Sequence, residues 1–153
     1  HCTLAIHDRE GHDDVLHILD QEGWPERVIM HCFSGDAELA GECVRHGAWL
    51  SFPGVLTFNN AERTRQALHA TPVDKILVET DAPFLTPHPR RGKRNGPYLI
   101  AHTIRFLSEQ LDWDEASCCE QLRRNTLAAY GGPWEDVHGV TPLQLPASGE
   151  ETR

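Results

Sequence analysis

The sequence predicts an α/β fold of parallel strands, each followed by a helix, arranged as part of a (β/α)8 barrel. Three observations carry this. Leu4-Ala5-Ile6, Val28-Ile29-Met30 and Ile76-Leu77-Val78 are short apolar runs without polar alternation, as strands buried on both faces of a parallel sheet read. Helical spacing recurs between the runs, so that strand and helix alternate four times, which implies parallel pairing through crossovers. Each of the three runs also leads into a residue that can bind a metal: His7, His31 and Asp81. Ligand types at the C-terminal mouths of several successive strands favour a barrel over an open doubly wound sheet. No Gly-rich phosphate-binding turn follows any strand, which weakens a nucleotide-binding reading. A whole barrel needs ~250 residues, so four strands are half of one.

Taken in order, Thr3 to Ile6 is a strand ending at His7. A helix over 13–22 follows, with Val15, Leu16, Ile18 and Leu19 at helical spacing and Gly23 as its stop. Residues 27–30 form the second strand, ending at His31. Residues 36–45 are the second helix, with Ser34 or Asp36 as N-cap and Gly47 as its end. Trp49 to Phe52 is the third strand, closed by Pro53-Gly54. The third helix covers 60–69 with Asn59 or Asn60 capping it. Residues 75–78 are the fourth strand, after which Asp81 and Pro83 stop regular structure. A loop rich in Pro, Arg and Gly spans 82–97, and helices over 98–111 and 114–129 follow, the second starting at Asp112 or Asp114. Gly, Pro, Ser and Glu dominate from Gly131 onward, so residues 1–132 read as the folded unit and 133–153 as a poorly ordered tail.

The chain has 153 residues, 39% of them hydrophobic, which suits one globular domain. No apolar run approaches the ~20 residues of a membrane span and no signal-peptide pattern opens the sequence, so no membrane partner is expected. The first residue is His1 rather than Met, as in a processed or partial chain. Five cysteines, two of them adjacent and none in CxxC spacing, support neither a disulfide framework nor a thiolate zinc site, and a reducing cytoplasm fits them. The net charge of −9 excludes a protein that coats nucleic acid through bulk electrostatics.

Metal-assisted hydrolysis needs imidazoles and carboxylates that converge on one or two cations. His7, His31 and Asp81 are the candidate ligands, and strand-end placement aims them at one mouth. Glu79 shares Asp81's side of the strand by alternation and is a candidate to orient a ligand from behind, or to pair with a neighbouring strand. His12 and His17 are five apart, off any common helical face, and read as surface residues. Arg9, in the charged turn after His7, is a candidate phosphate contact. Arg90, Arg91, Lys93 and Arg94 place four cations in five positions of an acidic chain, suited to phosphates, which position a strand without reading its sequence. No aromatic residue is interleaved with them, so base stacking there is unsupported.

Together these residues resemble the TatD family of metal-dependent deoxyribonucleases, in the amidohydrolase-like superfamily. The segments that carry the likeness are Ile6-His7-Asp8-Arg9-Glu10, His31-Cys32-Phe33-Ser34-Gly35, the run from Leu50 to Ala61, Val78-Glu79-Thr80-Asp81-Ala82-Pro83-Phe84-Leu85 and Arg91-Gly92-Lys93-Arg94-Asn95. They stand in collinear order from about residue 3 to residue 131. The resemblance implies a TIM-type (β/α)8 barrel to which this chain gives roughly the last four β/α units. It implies divalent metal ions (Mg²⁺, Zn²⁺ or Mn²⁺), one or two per intact site, with His7 and His31 as ligands. Asp81 would be both a ligand and the partner that activates water. It also implies DNA as substrate, cleaved in several members as a 3′-to-5′ exonuclease, with Arg9, Arg91, Lys93 and Arg94 along its path. The family's first strand carries a His-x-His pair and its fourth a glutamate, and neither occurs here. A chain without those ligands is expected to show weak or no activity alone, with an N-terminal half or self-association as the two ways to complete its barrel. Two further classes stay open from sequence: a related hydrolase of a small amide or ester, and a non-catalytic fragment.

Overall fold

The computed structural model of the chain describes residues 2–131. The expected tail and the boundary at residue 132 lie outside the described residues. The strands are β1 (Leu4–His7), β2 (Val28–His31), β3 (Trp49–Phe52) and β4 (Ile76–Val78). The helices are α1 (His12–Glu22), α2 (Ala37–Arg45), α3 (Glu62–Ala70), α4 (Ile100–Gln110) and α5 (Glu115–Tyr130). All strands are parallel and lie in the order β1-β2-β3-β4. Sequential neighbours with no reversal are what a barrel wall requires. A doubly wound sheet has a switch point where the order turns back.

The pleat sorts each strand into two faces. Val28, Met30, Leu50, Phe52 and Ile76 point to one side and form the main core with Ala40, Cys43, Leu68, Leu107, Cys118 and Leu122 from the helices. Their neighbours Ile29, Trp49 and Leu77 point to the other side and meet Ala129 of α5. Register then places His7 directly beside His31, on the face of Ile29, Trp49 and Leu77. That inner face is closed at one end by α5. Asn125 donates from its Nδ2 to the carbonyls of Val73 and Ile76, ahead of and at the start of β4, at 2.7 and 2.8 Å, and Thr3 Oγ1 donates to Ala129 O at 2.8 Å. The opposite end, where the strands finish, carries the histidines and carboxylates.

The local signals explain most boundaries. Gly23 has φ +92° and its N–H returns to Leu19 O, as a helix end in a left-handed residue does. Asp36 caps α2 by accepting from Leu39 N–H at 3.0 Å, and Asp114 caps α5 by accepting from Ser117 N–H at 2.9 Å. The expected cap at Asn59 or Asn60 is corrected. The chain takes a 3-10 turn over Gly54–Thr57, and α3 starts at Glu62 with no side-chain cap. Arg65 satisfies the turn instead, donating to the carbonyls of Leu56 and Phe58. The helix expected from residue 98 begins as a 3-10 turn over Pro97–Leu99 before α4. His12 is also corrected. It is half-buried at the start of α1 and its Nδ1 pairs with Asp8 Oδ2, whose other oxygen accepts Gly11 N–H at 3.0 Å. Helical spacing placed His12 away from His17 correctly, but the turn that folds Asp8 back onto it is invisible to a helical wheel. Among the described residues no helix is long and apolar enough to cross a membrane.

Candidate metal centre

His31 is the last residue of β2, and its imidazole stands between two carboxylates. Nδ1 lies 2.8 Å from Glu79 Oε2, and Nε2 lies 3.6 Å from Asp81 Oδ1. Glu79 Oε2 also accepts Cys32 N–H at 3.2 Å. Glu79 is therefore anchored twice to the end of β2, and it fixes the tautomer. The Nδ1 proton goes to Glu79, and the Nε2 lone pair turns toward Asp81. A carboxylate behind a histidine is the arrangement that orients metal-binding imidazoles and raises their basicity. Glu79 occupies the position that strand alternation assigns it.

Ligand atoms of His31, Glu79 and Asp81 lie within 4.8 Å of one another, the one such group among the described residues. His7 is outside that group. Its ring centroid is 5.6 Å from that of His31 and tilted by 46°. It sits exposed at the end of edge strand β1, with nothing beyond it in the described sheet to turn the ring inward. The other oxygen of Glu79, Oε1, is buried with no hydrogen-bond partner among the described residues. A buried carboxylate oxygen left bare costs free energy unless a cation or proton meets it. The donor set of imidazole nitrogen and carboxylate oxygens suits a divalent ion such as Zn²⁺, Mn²⁺ or Mg²⁺. The residues present thus fit a metal on chemical grounds.

The field at the strand ends is negative. Burial first, then the charges of Asp81 and Glu79, push the Cys32 thiol up to about 12. Two residues here are held in the left-handed region, Cys32 at φ +52° and Asp81 at φ +53°. Side chains other than glycine enter it at a cost that the surroundings must hold in place. Cys32 directly follows β2 and Asp81 comes three residues after β4, and both twists re-aim the chain at the point where the ligand types converge.

The candidate substrate contacts are more dispersed. Arg9, Arg90, Arg91, Lys93 and Arg94 are all exposed. Arg91 lies over the Phe58 ring at 3.7 Å, so an aromatic partner comes from outside the basic run, where the sequence had none to show. The loop itself is tied down. Thr86 Oγ1 donates to Lys93 O at 2.6 Å, and His88 N–H donates to Thr57 Oγ1 at 2.8 Å. Asn95 is buried and its side chain reaches back to Thr80 and Phe84. Asn95 is the residue whose part sequence reasoning missed. The signal available was Asn-Gly-Pro at the end of a loop, a turn-forming string.

Comparison with known proteins agrees with this geometry. The chain is 44% identical over 131 residues to an uncharacterized metal-dependent hydrolase TatD of Mycobacterium tuberculosis, covering 86% of this chain and 50% of that protein. It is 46% identical over 108 residues to the uncharacterized metal-dependent hydrolase YabD of Bacillus subtilis, covering 69% of this chain and 42% of that one. The chain thus spans about half the length of the curated relatives it matches. The crystal structure of YjjV, a TatD homologue from Escherichia coli, superposes with a TM-score of 0.77 at 27% identity, over 84% of this chain and 50% of that one. A TatD-family hydrolase structure from Entamoeba histolytica superposes at 0.73 with 15% identity, covers 83% and 50%, and speaks for the fold alone. The parallel wall of β1 to β4 is accordingly part of a TIM-type barrel. The family described as TatD related DNase matches residues 1–131, the folded stretch that carries the histidines, Glu79 and Asp81, and this chain belongs to it.

Proposed function

We propose that the protein to which this chain contributes hydrolyses DNA phosphodiester bonds, as a 3′-to-5′ exonuclease that depends on a divalent metal ion. The observation that carries the reading is His31 held between Glu79 and Asp81 at the strand ends, with a basic loop tied alongside. His31 Nε2 and the Asp81 carboxylate would hold the ion, and His7 would reach it from the neighbouring strand. Such an ion, when bound, acidifies a water and neutralises charge on the phosphate. Glu79 holds the His31 imidazole in one orientation by accepting the hydrogen bond of its Nδ1–H, which leaves Nε2 facing Asp81. A free oxygen of Asp81 accepts the proton of the attacking water. Arg9, Arg91, Lys93 and Arg94 hold phosphates of the strand, and the ion supplies the positive charge that a chain of net charge −9 otherwise lacks. The family's remaining ligands, which the resemblance places ahead of β1, would complete the shell.

The test compares the 153-residue chain with a full-length protein that contains it, on 3′-end-labelled and 5′-end-labelled single-stranded DNA, with Mg²⁺ or with EDTA. The full-length protein should release nucleotides from the 3′ end only with the ion, and its Asp81→Asn variant should not. The chain alone should be inactive. Cleavage retained by Asp81→Asn would remove the role given to Asp81. Hydrolysis of a small amide or ester panel, with DNA untouched, would move the substrate class.

A further inference from the structure

The loop that carries the cations is fastened to the candidate metal centre through one buried side chain. Asn95 is 6% exposed, although it closes a run in which Arg90 to Arg94 are all exposed. Its Nδ2 donates to the carbonyls of Thr80 and Phe84, both at 2.6 Å, and its Oδ1 accepts Gly96 N–H at 2.9 Å. Its own N–H donates to Pro83 O at 3.2 Å. Both side-chain donors of the amide are thereby used. The carbonyls they meet bracket Asp81: Thr80 comes immediately before it, and Phe84 returns its N–H to Asp81 O at 2.9 Å. Asp81 itself sits at φ +53°, a conformation that persists only where the surroundings over-determine it. The bracket supplies that determination, and it comes from a residue 14 positions away along the chain.

We propose that Asn95 is a positioning residue: it fixes the 80–84 turn so that the Asp81 carboxylate faces His31, and it thereby couples the cation affinity of the centre to the seating of the basic loop. The inference rests on the reading of His31 and Asp81 as ligands. Its geometric part does not need that reading, because it concerns where the turn is held.

Thr86 provides the control, since its hydroxyl ties the same loop to Lys93 without touching the turn. The 153-residue chain, Asn95→Ala and Thr86→Val are compared by ¹H–¹⁵N spectra and by Mn²⁺ titration followed by electron paramagnetic resonance. Asn95→Ala should move the resonances of Thr80 to Phe84 and of His31, and should weaken Mn²⁺ binding by about 10- to 100-fold, as loss of an outer-shell partner does, while Thr86→Val stays within about twofold. Asn95→Ser keeps one donor and should recover part of the affinity. A merely structural Asn95 would lower the thermal midpoint yet leave the Asp81 and His31 resonances and the Mn²⁺ affinity unchanged, and that result overturns the proposal. If the unaltered chain binds no Mn²⁺, the titration is repeated on the full-length protein that contains it, where absence of binding overturns the ligand reading; in the chain the resonances then decide: movement at Asp81 and His31 supports the positioning role, and stillness overturns it. Should Asn95→Ala not fold, Asn95→Ser carries the same comparison.

Discussion

At the strand ends a few side chains set each other's chemistry, and Cys32 reports on all of them. Its backbone N–H is held by Glu79, and its thiol, raised to about 12 by burial and by the charges of Asp81 and Glu79, stays protonated throughout the neutral range. A raised thiol pKa means the thiolate appears only as pH climbs toward that value, so near neutral pH Cys32 is almost wholly the unreactive thiol. Alkylation of Cys32 by iodoacetamide should therefore rise steadily from pH 7 to about pH 11 without a plateau, while exposed Cys2 reacts first. Glu79→Gln removes one of the raising charges and should speed the reaction at every pH in that range. Site-resolved mass spectrometry checks both, and Cys32 reacting as fast as Cys2 in the folded protein at pH 8 would sink the electrostatic account. Much of this cluster was legible in the chain. Apolar runs that stop at His31 and Asp81, and alternation that puts Glu79 on their side, needed only strand geometry. The left-handed turns at Cys32 and Asp81 were not legible, because neither residue type demands that conformation.

Among the elements, the 82–97 loop is held in place by the 3-10 turn after β3, and Gly54 is where the two backbones meet. A Cβ at Gly54 would stand 2.3 Å from Leu85 O and 3.1 Å from Pro87 N. Those are main-chain atoms that no rotamer change can move aside, so the loop must lift. Gly54→Ala should cost about 1 to 3 kcal/mol, the usual range for overpacking, and should expose the segment around Leu85 and Pro87. Chemical denaturation gives the first number. Limited proteolysis gives the second, with new cuts expected in 85–94 and none in α2 or β2. Loss of less than about 0.5 kcal/mol with an unchanged cleavage pattern would mean the close approach is not maintained in solution. The sequence announced a turn at Pro53-Gly54 but not its partner, since nothing local to Gly54 names a carbonyl 31 residues onward. Strands and helices were easier to place, because their period is written in their own residues. The cap at Asp36 was readable for the same reason, as was the start of α5 near Asp114, and the capless start of α3 was not.

At the scale of the molecule, the described sheet is a wall with two open sides. β1 pairs only with β2, so its far edge presents backbone N–H and C=O groups with no strand partner among the described residues. Beside that edge Leu4 is 45% exposed on β1 and Ile18 57% exposed on α1. On the inner face the indole Nε1 of Trp49 is buried without an acceptor among the described residues. An unprotected strand edge with an apolar flank is a template for pairing with another chain. When the 153 residues are expressed alone, the edge should pair with a second copy, so sedimentation velocity under reducing conditions should show species above 17.2 kDa that grow with concentration. Lysine on an edge strand blocks such pairing by charge and solvation. Leu4→Lys should therefore shift the distribution toward the single chain while leaving the far-ultraviolet circular dichroism spectrum unchanged, because Leu4 is outside the main core. Co-expression with the segment that precedes β1 in a full-length relative should compete with self-pairing in the same way, through cover rather than charge. A chain that sediments as a single 17.2-kDa species at every concentration would show that its edge does not recruit a strand, and completion of the barrel would then have to be driven from the inner face.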